Sequence, residues 1–229
     1  MNPITYIENN IISYVNLLEF FKDTKKIKLV IYASSSSVYG EKGSKKAVSS
    51  LAHTNPISVY SASKLSMELI SKVYSHLYKI NTIGVRFFTV FGPWGRPDMF
   101  YLKLLRGIKS NRNTNIYNYG KHYRSFTYID DVILNLFKII NKFMTRGKKV
   151  SDVFNVGNPN SIHLKKFIGL VEKKMGKRAK KRYIKKQLGD LTLTKSNVLR
   201  EKKIFNHEIR VDLNTGVDKL IKWYNSYYK

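Results

Sequence analysis

The sequence predicts an α/β protein built around a parallel sheet. Short continuous apolar segments of strand length alternate along the chain with longer segments whose apolar residues recur at helical spacing. The segment "KLVIYASS" (28–35) is apolar at first and ends in small polar residues. That pattern is typical of a parallel strand that is buried on both faces.

The predicted elements follow one another in a regular order. A helix over 4–24 begins after Asn2 and Pro3, a favourable helix start, and leads to the strand at 28–35. A second helix (59–80) leads to the strand "TIGVRFF" (82–88). The other predicted elements are a glycine- and proline-rich loop at 92–98, a strand at 152–157, and helices near 98–111, 130–143, 163–175 and 214–228.

Length and composition restrict the class of protein. The chain has 229 residues, 43% of them hydrophobic, which is enough for one large domain or two small ones. No apolar segment approaches the roughly 20 residues of a membrane span, and the N-terminus has no signal-peptide pattern. The absence of cysteine excludes disulfides and thiolate metal sites. We therefore expect a cytoplasmic protein without a membrane span and without a metal.

The formal charge of +27 raises the question of a polyanionic partner. The basic residues are spread along the chain, and only "EKKMGKRAKKRYIKK" (172–186) is a dense run. No nucleic-acid-binding motif accompanies it. We interpret the charge as compositional bias together with a solvated basic face, and we expect no nucleic acid partner; polyanion binding is the weaker alternative.

Polar residues lie where the predicted strands end. The first strand ends in four serines, 34–37, and the second is followed by Thr89, with Arg96 on the next loop. In an open parallel sheet, ligands bind outside the carboxyl ends of the strands. These side chains are therefore expected around one crevice.

Tyr60 and Lys64 are one helical turn apart in "VYSASK" and project from the same helix face. A nearby ammonium favours the phenolate and lowers the pKa of a phenol, so the two residues form a possible proton-transfer pair. Alone, the pair is as well explained by an ordinary helix surface. Together with the serine-rich strand end and the second strand end, it favours a catalytic site.

The segments "YASSSSVYG", "YSASK", "RFFTVFGPWGRPDM" and "RSFTYIDD" closely resemble the extended short-chain dehydrogenase/reductase family, and most closely its UDP-glucuronate 4-epimerases. The resemblance implies a partial Rossmann-type doubly wound parallel sheet. Residues 1–160 would hold the C-terminal part of that domain with interleaved substrate-binding segments, and residues 161–229 a small C-terminal substrate-binding region. It further implies NAD as cofactor, a UDP-sugar as substrate, and inversion of carbon 4 through a 4-keto sugar.

The resemblance also implies roles for individual residues. Tyr60 would be the base, Lys64 would position it and hold the nicotinamide ribose, and Ser35 would hydrogen-bond the reacting oxygen. Further contacts with the cofactor would come from Asn10, Ser34 and Phe87. Substrate contacts would come from Ser36 and Ser37 in the sugar pocket, Thr89 and Arg96 at the sugar carboxylate, Arg124 at the diphosphate, and Asp190 near the uridine.

Within that family, missing residue types narrow the activity. Ser36 and Ser37 stand where the related dehydratases carry an acid pair, and the cysteine of the 3,5-epimerases is absent. Epimerisation at carbon 4 therefore remains. The alternatives are another UDP-hexose 4-epimerase or an inactive remnant.

A further departure concerns the cofactor. No GxxGxxG segment occurs in the sequence, and Met1 aligns just before the helix that follows the family's fourth strand. The first four strands of the family's sheet would then be missing, and the chain alone is expected not to bind NAD measurably. Helices 4–24 and 59–80 keep apolar residues on a second side, and by resemblance they would form a homodimer interface.

Overall fold

A computed structural model describes residues 2–24, 26–43, 48–144 and 150–228. Residues 44–47 and 145–149, which include some of the lysines spread along the chain, lie outside the described residues. The helices are α1 (Pro3–Tyr6), α2 (Ser13–Lys22), α3 (Gly40–Gly43), α4 (Val59–Tyr78), α5 (Phe100–Lys109), α6 (Ile129–Met144), α7 (Leu164–Met175), α8 (Leu199–Phe205) and α9 (Leu213–Tyr227). The strands are β1 (Val30–Ser35), β2 (Thr82–Phe87), β3 (Thr89–Phe91), β4 (Asn113–Ile116), β5 (Tyr123–Arg124), β6 (Phe126–Tyr128), β7 (Ser151–Val156), β8 (Ile162–His163) and β9 (Lys180–Tyr183).

The main sheet has three parallel strands in the order β1, β2, β7. Ser35 at the end of β1 lies opposite Phe87, and Phe87 lies opposite Val156 at the end of β7. The carboxyl ends of all three strands therefore meet at one edge of the sheet. The predicted α/β class with a parallel sheet is confirmed.

Helices cover both faces of this sheet. On one face, Tyr32 of β1 packs with Leu18 of α2 and Met67 of α4. On the other face, buried residues of β2 and β7 pack against α6 and α8. Burial on both sides explains why these strands read as continuous apolar segments.

The long helices begin where side chains satisfy free backbone N–H groups. The Asn2 side chain accepts a hydrogen bond from the N–H of Ile4 at 3.0 Å, and Pro3 occupies the first turn. Residues Ile7–Ile12 are π-helical and join α1 to α2, so the predicted helix over 4–24 is one continuous helical segment. The helix α4 starts at a capping box formed by Ser58 and Ser61.

Several short elements were not predicted. The strands β3 and β6 pair in parallel, as do β4 and β9, while β5 and β8 pair antiparallel. These strands have two to four residues each, which is too short for a periodic pattern. They nevertheless position Thr89 and Arg124, since each residue begins or ends one of them.

The second core lies away from the main sheet and joins α5, α7 and α9 to β3 and β6. Phe91, Leu105, Phe167 and Val217 are among its fully buried members, so residues on both sides of position 160 share one core. The division into 1–160 and 161–229 stays a prediction. In the described ranges, no helix is long and apolar enough to cross a membrane.

Candidate active site

The first turns of α4 carry Tyr60 and Lys64 against the end of β1. The Nζ atom of Lys64 donates a hydrogen bond to the carbonyl oxygen of Ala33 at 2.9 Å. Burial lowers the pKa of Lys64 because it disfavours the charged form. The ring of Tyr60 lies 5.3 Å from the ring of Tyr6 in α1. The start of α4 is thus held between the sheet and the N-terminal helix.

The serines after β1 do not share one environment. The Oγ atom of Ser35 accepts hydrogen bonds from the backbone N–H of Ser37 at 3.2 Å and from its hydroxyl at 2.9 Å. This caps the 3-10 turn Ser36–Tyr39, in which Ser36 is buried and Ser37 is partly exposed. Ser35 and Ser37 therefore present hydroxyls at the edge where the strands end.

Ser34 faces the interior instead. Its hydroxyl donates to Glu68, which also pairs with Arg86 at 2.6 Å, and both charged side chains are fully buried. Because buried charges require complete pairing, this hydroxyl is part of the fold. The expected contact of Ser34 with the cofactor stays a prediction.

Asn10 and Phe87, the other predicted cofactor contacts, flank the same region. The Nδ2 atom of Asn10 donates to the hydroxyl of Ser63 at 2.9 Å, and that hydroxyl donates to the carbonyl oxygen of Tyr60 at 2.8 Å. The π-helical segment thereby contacts the turn that carries the tyrosine; such segments are frequent at functional sites. Phe87 ends β2 beside Ser35 and is partly exposed.

The Asp190 carboxylate lies between two cationic or potentially cationic groups. Its Oδ1 atom accepts a hydrogen bond from Nη2 of Arg124 at 2.9 Å, and its Oδ2 atom lies 3.0 Å from Nε2 of His122. Burial opposes ionisation of Asp190, but the contacts with His122 and Arg124 outweigh it and hold its pKa below the usual range. Burial lowers the pKa of Arg124 despite this pairing.

Asp190 lines two cavities. The first, of about 200 Å³, is lined by Thr89, Met99, Phe100, Tyr101, Tyr117, His122, Arg124, Phe126, Leu164 and Asp190. The second is open, has about 500 Å³ and is lined by Pro3, Tyr6, Ser58, Val59, Tyr60, Gln187, Leu188, Gly189 and Asp190. The structure therefore brings Thr89, Arg124 and Asp190 together around one cavity, and Asp190 also lines the cavity of Tyr60.

Arg96 is not part of this arrangement. Its side chain is 76% exposed and pairs with Asp98, with Nε 3.3 Å from Oδ1. The described residues that line the two cavities do not include Arg96. The carboxylate-binding role of Arg96 stays a prediction.

His122 was missed by the sequence analysis. In "GKHYR" it stands two residues before Arg124, and residues two apart in an extended segment project to the same side. Beside a predicted phosphate-binding arginine, this spacing would have indicated a second polar residue in the site. A histidine in a loop carries no such signal alone.

Comparison with known proteins identifies relatives along the whole chain. Protein CapI of Staphylococcus aureus is 39% identical over 241 aligned residues, which cover all of this chain and 72% of that protein. UDP-glucuronate 4-epimerase 4 of Arabidopsis thaliana is 35% identical, and the match covers 99% of this chain and 55% of that protein. The crystal structure of the UDP-glucuronic acid 4-epimerase of Bacillus cereus with UDP-glucuronic acid and NAD superimposes with a TM-score of 0.89 at 31% identity, over 97% of this chain and 69% of that one.

The superposition covers the main sheet, the helices on both of its faces and the second core, since it extends over 97% of the chain. It agrees with the Rossmann-type architecture expected from the four motif segments. A family model described as the NAD dependent epimerase/dehydratase family matches residues 1–157. The chain belongs to the NAD dependent epimerase/dehydratase family.

Proposed function

We propose that this chain carries the catalytic and substrate-binding residues of a 4-epimerase that interconverts UDP-glucuronate and UDP-galacturonate with NAD. The observation that carries the proposal is that Asp190 lines two cavities, one lined also by Tyr60 and the other by Arg124. A UDP-sugar needs a diphosphate site joined to a site for the reacting sugar. The relatives from Arabidopsis and Bacillus are UDP-glucuronate 4-epimerases by name, which supports the same substrate.

The reaction requires transient oxidation, because the C–H bond at a secondary alcohol is not acidic enough for direct inversion. NAD, when bound, supplies the chemistry of hydride acceptance and return. Tyr60 as the phenolate accepts the proton of the C4 hydroxyl, and the Lys64 ammonium one turn away stabilises that phenolate. Ser35 donates a hydrogen bond to the reacting oxygen.

The chain's residues fit one end of the cofactor. Asn10 contacts the turn that holds Tyr60, and Lys64 lies beside it, so these residues suit the nicotinamide and its ribose. The sequence has no GxxGxxG segment for the pyrophosphate. The proposed fit is therefore limited to the nicotinamide side.

The diphosphate is assigned to Arg124, whose planar guanidinium suits two phosphate oxygens. Apart from Arg124, its cavity is lined mainly by apolar and aromatic side chains, with Thr89, His122 and Asp190 as further polar residues. Water exclusion in such a cavity strengthens a charged contact. Asp190, which lines both cavities, is suited to accept hydrogen bonds from ribose hydroxyls.

The proposal includes a homodimer through helices 4–24 and 59–80. These helices expose ten large hydrophobic side chains, each between 39% and 68% exposed: Ile4, Ile7, Ile12, Leu17, Phe20, Val59, Leu69, Val73, Leu77 and Tyr78. A large exposed apolar area is a common mark of a protein interface. A second copy of the same two helices would bury it.

The test is conversion of UDP-glucuronate to UDP-galacturonate, followed by anion-exchange chromatography with NAD added. It is run on the purified chain and on the chain together with any polypeptide encoded directly upstream. Tyr60→Phe keeps the ring packed on Tyr6 but removes the phenol, so the rate should fall by orders of magnitude. Ser35→Ala should lower the rate less, because the Ser37 hydroxyl lies 2.9 Å from the Ser35 hydroxyl and can partly replace it.

Tyr78→Phe, the same substitution at the far end of α4, is the matched control and should leave the rate unchanged. Near-normal activity of Tyr60→Phe would overturn the mechanism. No conversion in either preparation would favour the inactive remnant.

The exposed position of Arg96 favours a second candidate function, that of a 4-epimerase for a neutral UDP-hexose. Arg96→Leu distinguishes the two. It should slow turnover of UDP-glucuronate about 10- to 100-fold more than that of UDP-glucose, because only the first leaves a carboxylate unpaired. Equal effects on both substrates would favour the neutral sugar.

A further inference from the structure

His122 is a buried histidine inside the cavity assigned to the diphosphate. It is 3% exposed and lines that cavity with Arg124 and Asp190. Its Nε2 atom is within ion-pair distance of Asp190, at 3.0 Å, yet forms no well-aligned hydrogen bond within the described part of the chain. A buried polar atom without an aligned partner calls for a ligand or a change of charge.

The charges in the cavity do not suit a dianion as they stand. Arg124 and Asp190 carry opposite charges and pair at 2.9 Å, so together they contribute no net charge. A diphosphate diester adds two negative charges next to the Asp190 carboxylate. In a mostly apolar cavity, that repulsion is only weakly screened. Together with the neutral Arg124–Asp190 pair this gives a net charge of −2, so an added positive charge would favour binding.

His122 is the group that can supply this charge. An imidazole changes charge near neutral pH, and here one of its nitrogens already lies against the carboxylate. The backbone holds the residue in place, because its carbonyl oxygen accepts a hydrogen bond from the N–H of Leu164 at 2.8 Å. Protonation would place a positive charge beside Asp190, which offsets that carboxylate and leaves Arg124 free to turn its fork to the phosphates.

We propose that His122 is a substrate-binding residue that takes up a proton when the diphosphate of a UDP-sugar binds beside Arg124. This inference rests on the proposed function, since it assigns a diphosphate to that cavity. By linkage, the affinity must then fall as the pH rises, by up to about tenfold per pH unit where His122 is neutral in the free chain and protonated in the complex.

Other charged groups also surround His122. Glu41 and Lys186 pair with each other beside Thr192, whose carbonyl oxygen accepts from Arg124. Lys165 packs against Gly120, and the ring of His163 lies 4.9 Å from that of Tyr123. Of these surrounding groups, only His163 ordinarily titrates near neutrality. His163 therefore provides the matched control.

The experiment is isothermal titration of the full chain with UDP-glucose from about pH 5.5 to about pH 8.5, in two buffers with different heats of ionisation. The phosphodiester charges of this ligand do not change in that range. Wild type should bind more weakly as the pH rises and should take up part of a proton. His122→Gln keeps an amide nitrogen near the Nε2 position but cannot titrate, so its affinity should be independent of pH.

His163→Asn keeps the acceptor that caps α7 and should behave as wild type. A pH-independent affinity in wild type, or a persisting pH dependence in His122→Gln, overturns the assignment of His122 and leaves the proposed function intact. No binding at any pH overturns both.

The chain has five histidines, so NMR titration of wild type with and without UDP-glucose gives a second readout that does not require the His122 variant to fold. The pKa of His122 should rise on binding, and an unchanged value contradicts the proposal.

Discussion

Replacing Arg124 with leucine is the most direct perturbation of the predicted diphosphate site. The side chain is only 16% exposed and donates to Asp190 at 2.9 Å, to the Tyr123 carbonyl at 3.1 Å and to the Thr192 carbonyl at 3.3 Å. Leucine has a similar apolar stem but none of these donors. We expect the fold to persist and the affinity for the diphosphate to fall.

The magnitude follows from the contacts. One hydrogen bond to a charged group contributes about 1.5–3 kcal/mol, which corresponds to about 10- to 150-fold in affinity. The guanidinium can form two hydrogen bonds to a phosphate, but it gives up part of its contact with Asp190 when it turns. The net gain is therefore that of one hydrogen bond. Arg124→Lys keeps the charge but loses the planar fork, so its affinity should be intermediate.

The assay is isothermal titration of wild type and variants with UDP-glucose at neutral pH. Arg210→Leu is the matched control, because Arg210 is 64% exposed and pairs only at the surface with Glu208. Urea unfolding is measured in parallel, since Asp190 loses a partner in Arg124→Leu. An Arg124→Leu variant that is folded and binds within twofold of wild type would refute the assignment of this cavity to the diphosphate.

Three further predictions address assembly, cofactor and pH. Phe20→Glu in the exposed face of α2 should convert a dimer to a monomer in sedimentation at micromolar concentration, and a monomeric wild type would contradict the interface. The chain alone should show no measurable NAD binding by calorimetry, whereas tight stoichiometric binding would mean that another segment replaces GxxGxxG. Burial lowers the pKa of His207 from its ordinary value of 6.5 to about 4. The neutral form therefore stabilises the fold above about pH 6.5, and about 3 kcal/mol of the free energy of unfolding should be lost as the pH falls through 4. His207→Gln should flatten this dependence in urea unfolding, and an unchanged dependence would exclude His207 as its source.

The long elements could be predicted from the sequence because their signals are local. Apolar spacing marks the helices, and continuous apolar segments mark the strands. The strand Val30–Ser35 and the helix Val59–Tyr78 lie within two residues of their predicted bounds. The positions of Ser35 and Thr89 at strand ends follow from the same signals, since the carboxyl ends of parallel strands share an edge.

Other features depended on which face a side chain occupies. Ser34 and Ser35 are adjacent, yet the first is buried on Glu68 and the second caps the following turn, because neighbouring strand residues point to opposite faces. The carboxylate-binding role of Arg96 stays a prediction, and the structure turns its side chain to Asp98 and solvent. Loop conformation leaves no periodic pattern from which this could be read.

The sequence by itself determined the α/β class, the order of the long elements, and the pairing of Tyr60 with Lys64 on one helix face, because each depends on spacing within a few residues. Only the tertiary structure decided that Asp190 meets Arg124, 66 residues away in sequence, and that His122 completes the cluster. Short strands and irregular segments bring these residues together, and their positions depend on packing against the second core. Burial in that packing, which no local pattern encodes, is also what makes their charges interact strongly.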